Sequence, residues 1–165
     1  MYSKKHRSIV FLIPGLLLIS NLLHAGNHPI SIDEVLAQKE EPTGVVIEIV
    51  TGESDGLQWA LPRAKEYIAR LKKRFPEMHV AIVTHGREQF ALAKDQQGSN
   101  KKIHSLTQSL RKDGVDLHVC GTYADWKGLS DEDFPEYVDV AAEGPAQIND
   151  YKAVGYLHVL IREEN

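Results

Sequence analysis

The one cysteine in the chain, Cys120, closes the apolar run Val115-Asp116-Leu117-His118-Val119 and stands directly before Gly121-Thr122 and a predicted short helix. A thiol at a strand-to-helix junction faces the first helical amides, whose partial positive charge favours the thiolate and makes the sulfur nucleophilic. The same position also suits a small buried hydrophobe, which is the other reading of an isolated Cys after apolar residues. Nucleophilic chemistry needs a base beside the sulfur. His85 is the natural candidate, because its strand is expected to end on the same side as that of Cys120. Glu53 or Asp55 could orient that histidine, and the spacing fixes neither. Gly86, Gly121, Thr122 and Trp126 flank the candidate catalytic pair, Cys120 and His85, and are expected to serve as binding residues around it. Trp126 and Tyr123 would wall a small pocket or an interface, or else pack into the core.

Other chemistries find less support. His118 precedes Cys120 by two, so in an extended strand it shares a face with the sulfur, and its mid-strand position suits packing against a helix. His79, His104 and His158 are scattered, with no His-x-x-x-His or Cys-x-x-Cys spacing, and no zinc site is expected. Thioredoxin-like exchange needs a second cysteine, which the chain lacks. Thr51-Gly52-Glu53-Ser54-Asp55-Gly56 carries two glycines without the lysine of a phosphate loop and reads as a turn into a helix. No cofactor is expected.

The elements that must position these residues alternate compact apolar runs with amphipathic stretches, which predicts an α/β domain with a mostly parallel sheet. Strands are predicted over 45–50, 79–84, 115–119, 137–141 and 156–161. The first run, Val45-Val46-Ile47-Glu48-Ile49-Val50, is β-branched and ends at Thr51-Gly52. Leu57, Leu61, Ala64, Ile68, Leu71 and Phe75 recur at helical spacing until Pro76 stops them. Ile103, Leu106 and Leu110 mark a further helix, closed at Asp113-Gly114 as a C-cap glycine would close it. Short helices are expected over Glu88 to Ala93 and Tyr123 to Lys127, a longer one over Gly144 to Ala153, and a capping-box turn at Ser130 and Asp133. Function in such sheets gathers at the carboxyl ends of the strands, and three strands here end in Thr51-Gly52-Glu53, His85-Gly86 and Cys120-Gly121.

The N-terminus has the pattern of a secretory signal: Lys4, Lys5 and Arg7 precede the apolar run Ile9 to Leu23, and Leu23-His24-Ala25 offers cleavage after Ala25. The run is short for a membrane span, and an uncleaved anchor is the competing reading. The expected organisation is a signal peptide over 1–25, a polar leader or linker over 26–43 with a helical turn near Ile32 to Leu36, and one α/β domain over 44–165. Removing 25 of 165 residues leaves 140, enough for one domain with a real core. The lost segment holds three basic residues and no acidic ones, so the formal charge moves from −4 to −7. Such a chain lacks the clustered basic face that a nucleic-acid partner requires. The basic run Arg70-Leu71-Lys72-Lys73-Arg74 sits at a predicted helix end, where cations complement the macrodipole. With one cysteine no internal disulfide can form, and stability must come from packing.

Three stretches, Ala81-Ile82-Val83-Thr84-His85-Gly86, Ile103 through Gly114-Val115, and Val119-Cys120-Gly121, resemble the pattern of the DsrE/DsrF-like family. Val138-Asp139-Val140, Ala146-Gln147-Ile148 and Gly155-Tyr156 extend the resemblance over Gly44 to Arg162. It implies a three-layer α/β/α domain with a parallel five-stranded sheet, assembled as a homo-oligomer, a trimer or hexamer. It also implies that Cys120 matches a cysteine that receives sulfane sulfur as a persulfide and hands it to a partner protein. The signal-like N-terminus departs from the cytoplasmic relay members. The expectation is therefore a periplasmic sulfur carrier or sulfurtransferase-like protein, with no membrane association after cleavage. The alternative is a non-catalytic ligand-binding or assembly module of the same fold.

Overall fold

The computed structural model describes residues 28–163, so the expected signal segment lies outside the described residues. Five strands, β1 (Gly44–Ile49), β2 (His79–Thr84), β3 (Val115–Cys120), β4 (Asp139–Ala141) and β5 (Tyr156–Ile161), form one sheet in the order β4-β3-β2-β1-β5. Every pairing is parallel. Parallel neighbours need crossover connections, and the helices supply them: α2 (Leu57–Arg74) after β1, α3 (Lys101–Lys112) after β2, α4 (Gly121–Asp125) after β3 and α5 (Gly144–Ala153) after β4. The fold is the expected α/β/α arrangement.

Alternation along the strands divides the core in two. Val45, Ile47 and Ile49 of β1 join Leu117 and Val119 of β3 in one large apolar layer with Leu57, Leu61 and Leu71 of α2 and Ile103 and Leu110 of α3. Val46, Ala81 and Val83 face the other way and meet Ile148 of α5, with Tyr151 and Tyr156 packed at the side. Glu48, His118 and Cys120 share that second face by parity, so it is the more polar of the two.

The helix ends follow local chemistry. Lys72, Lys73 and Arg74 occupy the last turn of α2, where cations oppose the negative end of the macrodipole. Gly114 follows α3 at φ +78°, a left-handed conformation that glycine adopts without strain. Ser130 and Asp133 form the expected capping box, the Asp133 carboxylate accepting from the Ser130 N–H at 2.7 Å.

Several boundaries differ from expectation. The segment expected as a polar leader is, from Ile30 on, built onto the domain: α1 (Ile32–Leu36) buries Ile32 and Val35 in the main core, and Asp33 pairs with Arg70 of α2. Ile30 N–H donates to the His158 carbonyl at 2.8 Å, which covers part of the β5 edge. The short helix after β2 is a 3-10 turn, Arg87–Leu92, and α4 begins two residues earlier than expected, so Cys120 is its N-cap. β4 is only three residues long, a short edge strand.

Candidate functional site

Cys120 ends β3 one step beyond the Val119 pairing with Thr84, and His85 follows Thr84 on the neighbouring strand. The two residues are thus side by side at the carboxyl rim. Between them sits the first residue of α5. A methyl group on Gly144 would lie 2.5 Å from the His85 Cβ and 3.4 Å from the Cys120 Cβ, so only glycine lets the helix start rest on both. The ten-residue α5 has no side-chain cap, and its first turn stands over the pair.

A buried amide holds the cysteine backbone. Past Thr84 the β2 chain turns away, leaving the Cys120 peptide without a strand to pair with on that side. Gln89, fully buried, takes the place of the missing strand: Cys120 N–H donates to Gln89 Oε1 at 2.8 Å, and Gln89 Nε2 donates to the Cys120 carbonyl at 3.2 Å. On the other side, Thr122 N–H and Oγ1 both donate to the Ala142 carbonyl, at 3.0 and 2.9 Å, which ties α4 to the chain after β4.

The residue that orients His85 is Glu48, not Glu53 or Asp55, both of which are exposed in the loop after β1. His85 Nε2 lies 2.7 Å from Glu48 Oε1, and His158 Nε2 lies 2.6 Å from Glu48 Oε2. Burial by itself would raise the Glu48 pKa, but the hydrogen bonds and charges of His158 and His85 outweigh it and hold the carboxyl down at about 2. An ionised carboxylate only accepts hydrogen bonds, so both imidazoles present Nε2–H to it.

A second buried carboxylate fixes the loops around the pair. Glu88, fully buried, accepts from Thr51 N–H at 3.0 Å, Gly86 N–H at 2.8 Å and Thr84 Oγ1 at 2.6 Å. The Thr51 hydroxyl, 3.0 Å from both Glu88 Oε2 and the Glu53 carbonyl, has one proton to share between them. Gly86 is required by close approach, since a Cβ there would fall 2.2 Å from Glu88 Oε2 and 2.7 Å from the Thr51 carbonyl. Gly86 and Thr122 are therefore framework residues of the rim. Gly121 is packed in the same way, with the Ala141 carbonyl 3.0 Å from where its Cβ would be.

Cys120 stands at the carboxyl rim and is buried there, 6% exposed. Two surface grooves, one beside Leu57, Pro62 and Leu106, the other beside Asp55, Phe90 and Lys127, border neither Cys120 nor His85. Trp126, expected to wall a small pocket or an interface or else to pack into the core, points to solvent at 76% exposure, edge-on to Tyr123, and is not part of the core. His118 packs as expected, its Nε2 lying 2.9 Å from the Tyr151 hydroxyl of α5. Among the described residues no group of three or more His, Cys, Asp or Glu side chains is arranged to hold a metal ion.

Glu48, Gln89 and Glu88 are the residues that sequence reasoning missed. Glu48 did carry a signal, being the one charged residue in a six-residue β-branched run. Gln89 carried none, because its partner is 31 positions away, and Glu88 joins the nearby Thr84 and Gly86 to Thr51, 37 positions away, with no periodicity to mark its burial.

Together these features define an α/β domain with a parallel five-stranded sheet and, at its carboxyl rim, Cys120 and His85 on neighbouring strand ends. No family model matches the chain, and no curated protein matches it. Two solved structures share the fold. A protein of unknown function from Methanobacterium thermoautotrophicum, MTH1491, is 20% identical with a TM-score of 0.56, over 71% of this chain and 97% of its own. The ychN protein from E. coli is 16% identical with a TM-score of 0.55, over 72% of this chain and 99% of its own.

Proposed function

We propose that this protein is a sulfur carrier of the DsrE/DsrF-like kind that accepts sulfane sulfur on Cys120 as a persulfide. The observation that carries the reading is the side-by-side placement of the only thiol and His85 under Gly144, at the carboxyl rim where α/β sheets present reactive groups. The Cys120 thiolate attacks the outer sulfur of a donor such as thiosulfate. The new S–S bond forms at Cys120, the donor S–S bond breaks, and sulfite leaves with that electron pair. Because Cys120 is buried, the reading requires a donor that is small or that displaces the first turn of α5. The composition of the N-terminal segment supports an exported, periplasmic carrier, and the resemblance supports a trimer or hexamer that passes the sulfur to a partner protein.

Mass spectrometry tests this directly. Incubation with thiosulfate or polysulfide is expected to add one sulfur, about 32 Da, to the Cys120 peptide and nothing to Cys120→Ser. Absence of any adduct with either donor overturns the carrier. The burial of Cys120 favours a second reading, a non-catalytic binding or assembly module in which the thiol is packing. Labelling of the native thiol by a small alkylating reagent separates the two, since a packed thiol stays protected until the chain unfolds.

A further inference from the structure

We propose that Glu48 is the positioning residue of the cysteine site, fixing His85 as the Nε2–H tautomer so that Nδ1 is the free proton acceptor beside Cys120. The inference rests on the sulfur-carrier reading and adds to it the group that selects which nitrogen of His85 works. Three observations carry it. The Glu48 oxygens are divided between two imidazoles, Oε1 to His85 and Oε2 to His158, so the carboxylate has a bonded partner on each side and its orientation is set. Glu48, 16% exposed, sits on the α5 face of β1 and reaches His85 from the side of the sheet away from β3. Among the described residues His85 Nδ1 has no hydrogen-bond partner, and it is bonded to Cγ, which would lie 3.0 Å from a Cβ on Gly144, at the point where the helix also meets Cys120.

The step this arrangement performs is a proton transfer. The Cys120 S–H bond breaks, the proton goes to His85 Nδ1, and the electron pair stays on sulfur as thiolate. The imidazolium so formed keeps its Nε2–H bond to Glu48, whose negative charge lies where positive charge develops. Glutamine at position 48 offers one oxygen and one NH2 group where two N–H donors now point. One of the two histidines must then turn its tautomer; His158 Nδ1 is buried without a partner, where a proton would go unpaired, so His85 is the one that turns, and its Nδ1 then carries a proton and no longer accepts one.

The titratable groups around His85 are Glu48 on β1, His158 behind it on β5, Cys120 on β3, Glu143 at the cap of α5, and Glu88, which holds the adjacent Gly86 N–H. The test is the rate of Cys120 alkylation by iodoacetamide against pH in the native wild-type chain, E48Q, E48D and H85Q. The wild-type rate is expected to rise in two steps, the lower one belonging to the Cys120–His85 pair. E48Q and H85Q are expected to lose the lower step, with a fall of about tenfold or more at neutral pH, and E48D to recover part of it.

Nitrogen-15 spectra of the histidines supply a readout that does not depend on the reaction: His85 is expected as Nε2–H in the wild type and as Nδ1–H in E48Q. Superimposable profiles for E48Q and wild type overturn the proposal, as does an Nδ1–H tautomer of His85 in the wild-type chain. No sulfur donor enters the assay. A protein that shows the lower step yet gains no sulfur from thiosulfate or polysulfide therefore loses the carrier reading and keeps this role for Glu48.

Discussion

Both polar groups of the Cys120 peptide end on one buried side chain, and that fact gives a single residue unusual leverage over the site. Gln89 matches the peptide group it faces, with an acceptor for the N–H and a donor for the carbonyl. Gln89→Met keeps the volume and removes both functions, leaving a buried N–H and a buried carbonyl unpaired. Each such loss costs about 1–3 kcal/mol, so a destabilisation of about 2–6 kcal/mol is expected in urea titration. Hydrogen exchange at the Cys120 amide should quicken well beyond that of Val119, which lies inside the β2–β3 pairing. Equal protection of the two amides in the variant would show that the strand holds Cys120 without the glutamine. His85 and Cys120 could be found in the sequence because each directly follows or ends an apolar run, and a parallel sheet brings such ends together. Their supports could not be read there: an amide bonding across 31 positions leaves no local periodicity to detect.

At the scale of elements, the rim is held by contacts between loops, and Glu88 is where they converge. Its two oxygens take two backbone N–H groups that cannot rotate away, from Thr51 after β1 and Gly86 after β2, together with the Thr84 hydroxyl at the end of β2. Glu88→Gln is nearly the same size but aims an NH2 group at one of those fixed donors. The expected cost is about 1–3 kcal/mol, with faster proteolysis in the loops around Thr51 and Gly86. Glu53→Gln, at an exposed position in the same loop, is the control and should cost nothing measurable. If the two variants behave alike, the convergence on Glu88 holds nothing in place. Element existence was well encoded here. β2, β5 and α5 fall on their expected residues because hydrophobic period, Gly and Pro all agree on their limits. Within 26–43 the helical turn expected near Ile32 to Leu36 forms as α1; its docking on the core was not legible, because two buried residues, Ile32 and Val35, are too few to stand out from a polar background. The 3-10 turn at Arg87–Leu92 has a similar origin. Its buried positions include Glu88 and Gln89, so polarity no longer marks the outside.

For the molecule as a whole, the two faces of the sheet differ in kind, and the difference sets how stability should depend on pH. The α2–α3 face is largely apolar, with His104 and Thr107 of α3 as buried polar side chains, whereas the α5 face holds Glu48, His118, His158, Tyr151 and Tyr156, and these ionisable groups supply most of the pH dependence. Glu48 is held at about 2 in the fold against an ordinary 4.5, burial opposing and the two histidines prevailing. A depressed carboxyl contributes stability that is complete above its unfolded pKa and is lost as pH falls toward the folded one, so this contribution disappears between pH 4.5 and about 2. Burial pushes His118 down, against the charges of Asp139 and Asp116, and its contribution begins to be lost earlier, as pH falls below 6.5. Tyr151 supplies the opposite limb. Burial first, then the negative charges of Asp116 and Asp139 with Tyr156, raises it from 10.0 to about 12, and a raised tyrosine contributes stability that is lost as pH climbs through that interval. Urea midpoints across the pH range should therefore fall on both sides of a plateau. E48Q should flatten the part of the acid limb below pH 4.5 and leave the His118 part in place, and Tyr151→Phe should flatten the alkaline limb, leaving the smaller slope due to Tyr156, which burial also raises. An acid limb unchanged in E48Q would mean that Glu48 is not ionised between its two histidines, and the electrostatic account of the polar face would fail with it.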